Sequence, residues 1–197
     1  MTPLPRLVVL TDAAQAASAG HDLRQVLVLA VEAGASGVVV RERHLPAEQR
    51  RDLVRWVEAL MAAVGGLVVV ASPPLESGHN VHLTAAEPAP RARPPILGRS
   101  CHDVAELWAA AEEGCDYATL SPIFPTASKP GYGPALGVDA LRRPPLPVYA
   151  LGGVTVSNAA NCRAAGAVGV AVMGAVMRAS DPPRIVSHLL AVLGARR

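Results

Sequence analysis

The chain has 197 residues, 51% of them hydrophobic, which suits one substantial core and is short for two ordinary domains. Only 17% of residues are charged and the formal net charge is +2, so neither nucleic acid nor an anionic membrane surface is favoured as a partner. Cys101, Cys115 and Cys162 are odd in number and lack CxxC spacing, which argues against a disulfide framework or a zinc site. Met1 to Leu10 runs straight into an apolar stretch with no charged leader and cleavage site, and no apolar run approaches the ~20 residues of a membrane helix. A cytoplasmic location is expected; a homo-oligomer stays open.

In chain order, short β-branched runs alternate with longer segments of helical period, the pattern of parallel strands joined by crossover helices. Strands are predicted at Leu7–Thr11, Gly37–Arg41, Leu67–Ala71, Asn80–Leu83, Ile96–Arg99, Tyr117–Leu120, Val148–Leu151 and Val168–Met173. Pro46 to Val64 is the clearest helix, with Leu53, Trp56, Val57, Leu60 and Met61 on one face and Gly65–Gly66 as its stop. Three helix-to-strand joints carry a capping glycine: Gly34, Gly114 and Gly166. Asp22, Asp103 and either Ser157 or Thr155 are expected helix amino caps. Six prolines between Ser72 and Pro95 leave little room for full helices, so a shortened βα unit is expected there. An open doubly wound sheet would alternate in the same way. Eight units in so short a chain favour closure, and the predicted fold is one small (β/α)₈ TIM barrel domain spanning 1–197.

In such barrels the loops after the strands build the site. These loops hold Thr11 and Asp12; Arg41, Glu42, Arg43 and His44; Ser100 and His102; the segment from Ser121 to Gly131; Gly152–Gly153; and Met173–Gly174. Lys129 is the only lysine among the many arginines, which suggests a compact ammonium aimed at a phosphate oxygen; chance in an arginine-biased sequence is the plain alternative. Gly152–Gly153 and Gly174 lie where barrels bring bare backbone N–H groups to a phosphate, although tight turns use the same residues. Glu42 reads equally as a general acid or base and as an ion-paired carboxylate. His44 and His102 read first as structural or solvated, and His82, within a strand, as a satisfied core or rim histidine.

These residues resemble the thiamin phosphate synthase family, which includes the thiazole tautomerase TenI. The resemblance spans nearly the whole chain. It is carried by Leu10-Thr11-Asp12, Val40-Arg41-Glu42-Arg43, Val81-His82-Leu83, Leu97-Gly98-Arg99-Ser100, Asp116-Tyr117, Ser121 to Lys129 and Leu151-Gly152-Gly153. It implies that Thr126, Ser128, Lys129, Gly153, Met173 and Gly174 surround phosphates, that Arg41 and Arg43 reach a pyrimidine diphosphate, and that Ser100 lines the reacting centre. The synthases use magnesium held by an Asn-Asp pair after strand three and an aspartate after strand four. Here Ala71-Ser72-Pro73 replaces the pair, and Glu87 is the nearest carboxylate after strand four. Val39 also stands where the synthases have glutamine.

The tautomerase branch needs no metal and shares the Arg-Glu-Arg and Gly-Arg-Ser forms, but its proton-transferring histidine falls at Pro122 here. The leading expectation is therefore a TenI-like, metal-independent tautomerase acting on a phosphorylated thiazole without cofactor. Glu42 or His102 would move the proton, with Ser100 and Lys129 also at the reacting centre. The alternative is a thiamin phosphate synthase that holds magnesium through Glu87. A third reading is a non-catalytic sensor of a phosphorylated ligand.

Overall fold

Strands of a parallel barrel are covered on both faces, so valine and leucine on either side of the pleat suit them better than polar alternation does. The structure is a computed structural model that describes residues 4–126 and 134–194. All eight predicted strands form, within a residue or two of their expected ends: β1 Leu7–Leu10, β2 Gly37–Val40, β3 Leu67–Ala71, β4 Val81–Leu83, β5 Leu97–Cys101, β6 Tyr117–Leu120, β7 Val148–Ala150 and β8 Gly169–Val172. They pair in parallel in chain order, and β8 returns to β1, so the barrel is closed and the open sheet is excluded.

The two-residue period divides the strand side chains into two cores. Val8, Leu10, Val39, Val69, Ala71, Tyr117, Tyr149 and Ala171 cluster in the barrel interior. Val9, Val38, Val40, Val70, Leu120, Val170 and Val172 pack with the surrounding helices. Each such side chain contributes roughly 1.5–3 kcal/mol by leaving water. The interior holds two phenol rings, Tyr117 and Tyr149, which meet edge to face at 5.5 Å. Gly98 lies directly across from Tyr117 in the β5–β6 register, and any Cβ there would enter the phenol ring. Glycine on β5 is what admits a tyrosine to the barrel.

The helices are α1 Ala13–Ser18, α2 Leu23–Glu32, α3 Ala47–Ala62, α4 Val104–Glu112, α5 Ala159–Ala165, α6 Gly174–Met177 and α7 Pro182–Gly194. The predicted long helix is α3, whose Leu53, Val54, Val57 and Met61 are buried. Asp22 and Asp103 cap α2 and α4 by accepting from the N–H groups of Gln25 and Glu106, and Asp12 does the same for α1 through Gln15. The expected cap of α5 by Ser157 or Thr155 does not form. Those two hydroxyls bond each other at 2.9 Å, and Asn158, at the cap position, uses its side-chain oxygen to accept from the Thr155 N–H at 2.8 Å. Gly34, Gly114 and Gly166, at the joints, all have positive φ. None of the helices among the described residues is long and apolar enough to cross a membrane.

The shortened unit is where the prolines place it. From Ser72 to Ile96 the chain forms β4 and no helix. Loop carbonyls that no helix satisfies need other donors. Arg50, buried on α3, donates to the carbonyl oxygens of Ala71 and Pro73. Arg99, 4% exposed, donates to the carbonyl oxygens of Thr84, Ala85 and Glu87 at 2.9, 3.1 and 2.7 Å and pairs with Glu113 at 2.5 Å.

Candidate active site

A cavity of about 540 Å³ opens at the carboxyl ends of the strands. Of the predicted site residues, Arg41, Arg43, Ser100, His102, Thr126, Gly152, Gly153, Met173 and Gly174 all line it. Ser128 and Lys129 lie outside the described residues. Glu42 and Glu87 are not part of the lining.

One wall comes from β1 and β2. Thr11 is buried after β1, and its hydroxyl accepts from the Arg41 N–H at 2.8 Å, so the end of β2 is pinned to β1. Arg41 then reaches Asp12 at 3.5 Å and the Met173 sulfur at 3.2 Å. Arg43 pairs with Glu87 at 3.2 Å. Glu42 lies outside the cavity lining, where the paired-carboxylate reading places it more simply than the proton-carrier one. Continuing the strand's alternation, it turns away from Arg41 and Arg43 to a site where it is 2% exposed and accepts from the Ala13 N–H at 3.1 Å. His44 is largely solvated and stands 3.7 Å from that carboxylate.

The floor comes from β4, β5 and β6. His82 Nδ1 lies 3.0 Å from the Tyr117 hydroxyl, and His82 Nε2 lies 2.9 Å from Ser100 Oγ. Burial, with Arg43 and Arg99 adding to it, pulls His82 down to about 4, so the imidazole is neutral. Burial pushes the Tyr117 phenol up, so it keeps its proton. Among the described residues the Tyr117 hydroxyl has His82 as its hydrogen-bond partner, and a phenol so placed satisfies its donor by giving it to Nδ1. Nε2–H then donates to Ser100 Oγ, and Ser100 lines the cavity. His82 is thus the satisfied histidine the sequence suggests, and it also orients Ser100. His102 donates from Nδ1 to the Ser121 carbonyl oxygen at 2.9 Å, which fixes its ring at the cavity edge.

A further wall, which closes onto β1 through β8, comes from β6, β7 and β8. Gly152 and Gly153 have φ of 88° and 64°, a region that disfavours side chains. A Cβ at 152 would lie 2.8 Å from the Pro122 Cα, and one at 153 would run into the Pro125 carbonyl oxygen. The turn is held by the Phe124 N–H on the Gly152 oxygen at 3.0 Å and the Asn158 amide on the Gly153 oxygen at 3.0 Å. Arg178, which the sequence reading passed over, also lines this wall. A basic residue one helical turn beyond Gly174 was the available signal.

The donors at the ends of β3 and β4 do not fit magnesium. Magnesium in such sites needs one or two carboxylates with free oxygens, completed by phosphate and water. Ser72 follows β3. Burial alone would raise the Glu87 carboxyl, but the Thr84 N–H and hydroxyl, the Ser72 hydroxyl and Arg43 outweigh it and hold it low. Glu87 Oε2 already accepts from Thr84 at 2.6 and 2.9 Å and from Arg43. Asp12 is similarly engaged by Gln15 and Arg41. Among the described residues, no three His, Cys, Asp or Glu side chains converge as a metal site.

Comparison with known proteins matches this architecture. The profile of the family described as Thiamine monophosphate synthase matches residues 7–176. A putative thiamine-phosphate synthase of Geobacter sulfurreducens is 35% identical, the match covering 96% of this chain and 95% of that protein. The thiamine-phosphate synthase of Chloroflexus aurantiacus is also 35% identical, over 95% and 92%. Thiamine phosphate pyrophosphorylase from Pyrococcus furiosus shares the fold with a TM-score of 0.81 at 24% identity, over 96% of this chain and 95% of that one. With a closed barrel, a site at the strands' carboxyl ends and identity that runs almost end to end, the chain belongs to the thiamine monophosphate synthase family.

Proposed function

We propose that this chain is a synthase, joining a hydroxymethylpyrimidine diphosphate to a thiazole phosphate. The observation that carries this reading is that one cavity is lined by two kinds of group suited to anions. Arg41 and Arg43 bring guanidinium groups to it, and the Gly152–Gly153 turn with Gly174 brings side-chain-free backbone. A synthase has two phosphorylated substrates to hold, whereas a tautomerase has one. The names of the relatives favour the same reading, so it takes precedence over the TenI-like expectation.

In the proposed reaction the bond between the pyrimidine methylene carbon and the diphosphate oxygen breaks, and its electron pair leaves with pyrophosphate. The thiazole nitrogen lone pair forms the new C–N bond. Arg41 and Arg43 stabilise the charge growing on the leaving group. Ser100, oriented by His82, donates its hydroxyl proton as a hydrogen bond toward the reacting centre. The glycine wall holds the thiazole phosphate so that its nitrogen faces the methylene carbon.

The test is an assay with both substrates, run with magnesium and with a chelator. Formation of thiamin phosphate and pyrophosphate supports a synthase. Isomerisation of a thiazole phosphate carboxylate in the absence of the pyrimidine would restore the tautomerase, a reading that the ill-fitting magnesium donors favour. Binding without turnover of either kind would leave a phosphate-ligand sensor.

A further inference from the structure

We infer that Arg178 is a phosphate-binding residue of this site, held ready beside Gly174 by a rim network that runs through Gln15 and Asp12 to Arg41. The inference rests on the phosphorylated-substrate reading above and adds a residue to it. Arg178 follows α6 and its N–H bonds the Gly174 carbonyl oxygen at 3.2 Å. Its guanidinium folds back over Gly174 so closely that a Cβ at 174 would collide with it. The missing side chain at 174 therefore lets a planar cation lie against the backbone at the cavity wall. An ordinary surface arginine would extend into water, where its charge is best solvated.

Charge pairing separates Arg178 from the other arginines of the cavity. Arg41 has Asp12, at 3.5 Å, and Arg43 has Glu87, at 3.2 Å. Among the described residues, the side-chain partner of Arg178 is the neutral amide oxygen of Gln15. That amide is itself aimed. Gln15 Nε2 donates to Asp12 Oδ2 at 2.9 Å, which turns Gln15 Oε1 toward Arg178, and the same Asp12 oxygen accepts from Arg41. A cation positioned by a neutral group, on the wall that also holds Gly152, Gly153 and Thr126, keeps its full charge for an incoming anion. A guanidinium offers a phosphate monoester two parallel N–H donors, a fork that a lone ammonium cannot provide.

The experiment is titration calorimetry with thiazole phosphate, with its dephosphorylated alcohol and with the pyrimidine diphosphate, on the wild type, Arg178→Ala and Arg178→Lys. The expected result is a loss of roughly tenfold or more in affinity for thiazole phosphate in Arg178→Ala, with a smaller loss in Arg178→Lys. Affinity for the alcohol should stay within about twofold, as should affinity for the diphosphate. Arg178 is exposed, so its variants should unfold at the wild-type temperature. A wild type that prefers the phosphate ester while Arg178→Ala binds it equally well overturns this inference and leaves the proposed function standing. Equal losses for ester and alcohol overturn it too, as a structural disturbance. A wild type that binds ester and alcohol alike overturns the phosphorylated-thiazole reading together with the inference.

Discussion

The two sides of the barrel mouth are built by opposite means. On the β3–β4 side there is no helix to finish either unit, and buried arginines take over: Arg50 holds the carbonyls after β3, and Arg99 holds three carbonyls after β4. On the β7–β8 side, glycines bring the backbone itself to the cavity, and a side chain at 152 or 153 would strike the loop after β6. The first side uses long cations to replace absent secondary structure. The second uses absent side chains to expose peptide groups. A fold can thus vary its loops on one side and keep a narrow backbone geometry on the other.

If this contrast is right, Arg99→Leu should have the largest effect. It strands three loop carbonyls and the Glu113 carboxylate, and should cost about 3 kcal/mol or more in urea unfolding. A loss below about 1 kcal/mol would mean that water serves the loop as well as the arginine does.

The second effect concerns the floor between the two sides. His82 is held near 4 in the folded chain, against 6.5 for an ordinary histidine. Between those values the unfolded chain takes up a proton that the folded one refuses, so stability is full above about 6.5 and falls as pH drops toward 4. The total is on the order of 3 kcal/mol, from about 1.4 kcal/mol per unit. Thermal midpoints measured across this range should fall with acid, and less steeply in His82→Gln. Identical slopes in the two proteins would remove His82 from this account.

Third, Gly153→Ala tests the glycine side. Positive φ and collision with Pro125 should cost about 1–3 kcal/mol and weaken thiazole phosphate binding, while affinity for the pyrimidine diphosphate at Arg41 and Arg43 is retained. Calorimetry with each ligand reads the difference; equal weakening of both would erase the distinction between the walls. The smallest effect is Asp103→Ala, which removes the cap of α4 at a residue that does not line the cavity and should cost about 1 kcal/mol in unfolding with no change in ligand affinity.

Much of the site was legible because the barrel rule assigns function to residues that follow strands. Arg41, Arg43, Ser100, Gly152, Gly153 and Gly174 are expected at the barrel mouth that way, and all six line its cavity. Of the two readings of Glu42, the strand's period could have favoured the paired carboxylate: a two-residue period that brings Arg41 and Arg43 to the cavity turns Glu42 from it. Arg178 carried a local signal in its spacing from Gly174, but its pairing with Gln15 was not legible, because the two meet across 163 positions of sequence and only closure of β8 onto β1 brings them together. The role of Glu87 depended likewise on which donors the β4 loop gathers around it.

By itself, the sequence determined the eight strands, the helical caps at Asp22 and Asp103 and the shortened stretch after β3. These follow from local causes: β-branched runs, short polar side chains before helices, and prolines that forbid them. The tertiary structure alone decided which charges pair, which histidine is dry and which arginine at the mouth is paired with a neutral amide. Those outcomes depend on distances between chain segments far apart in sequence, and on how much water the closed barrel leaves around each group.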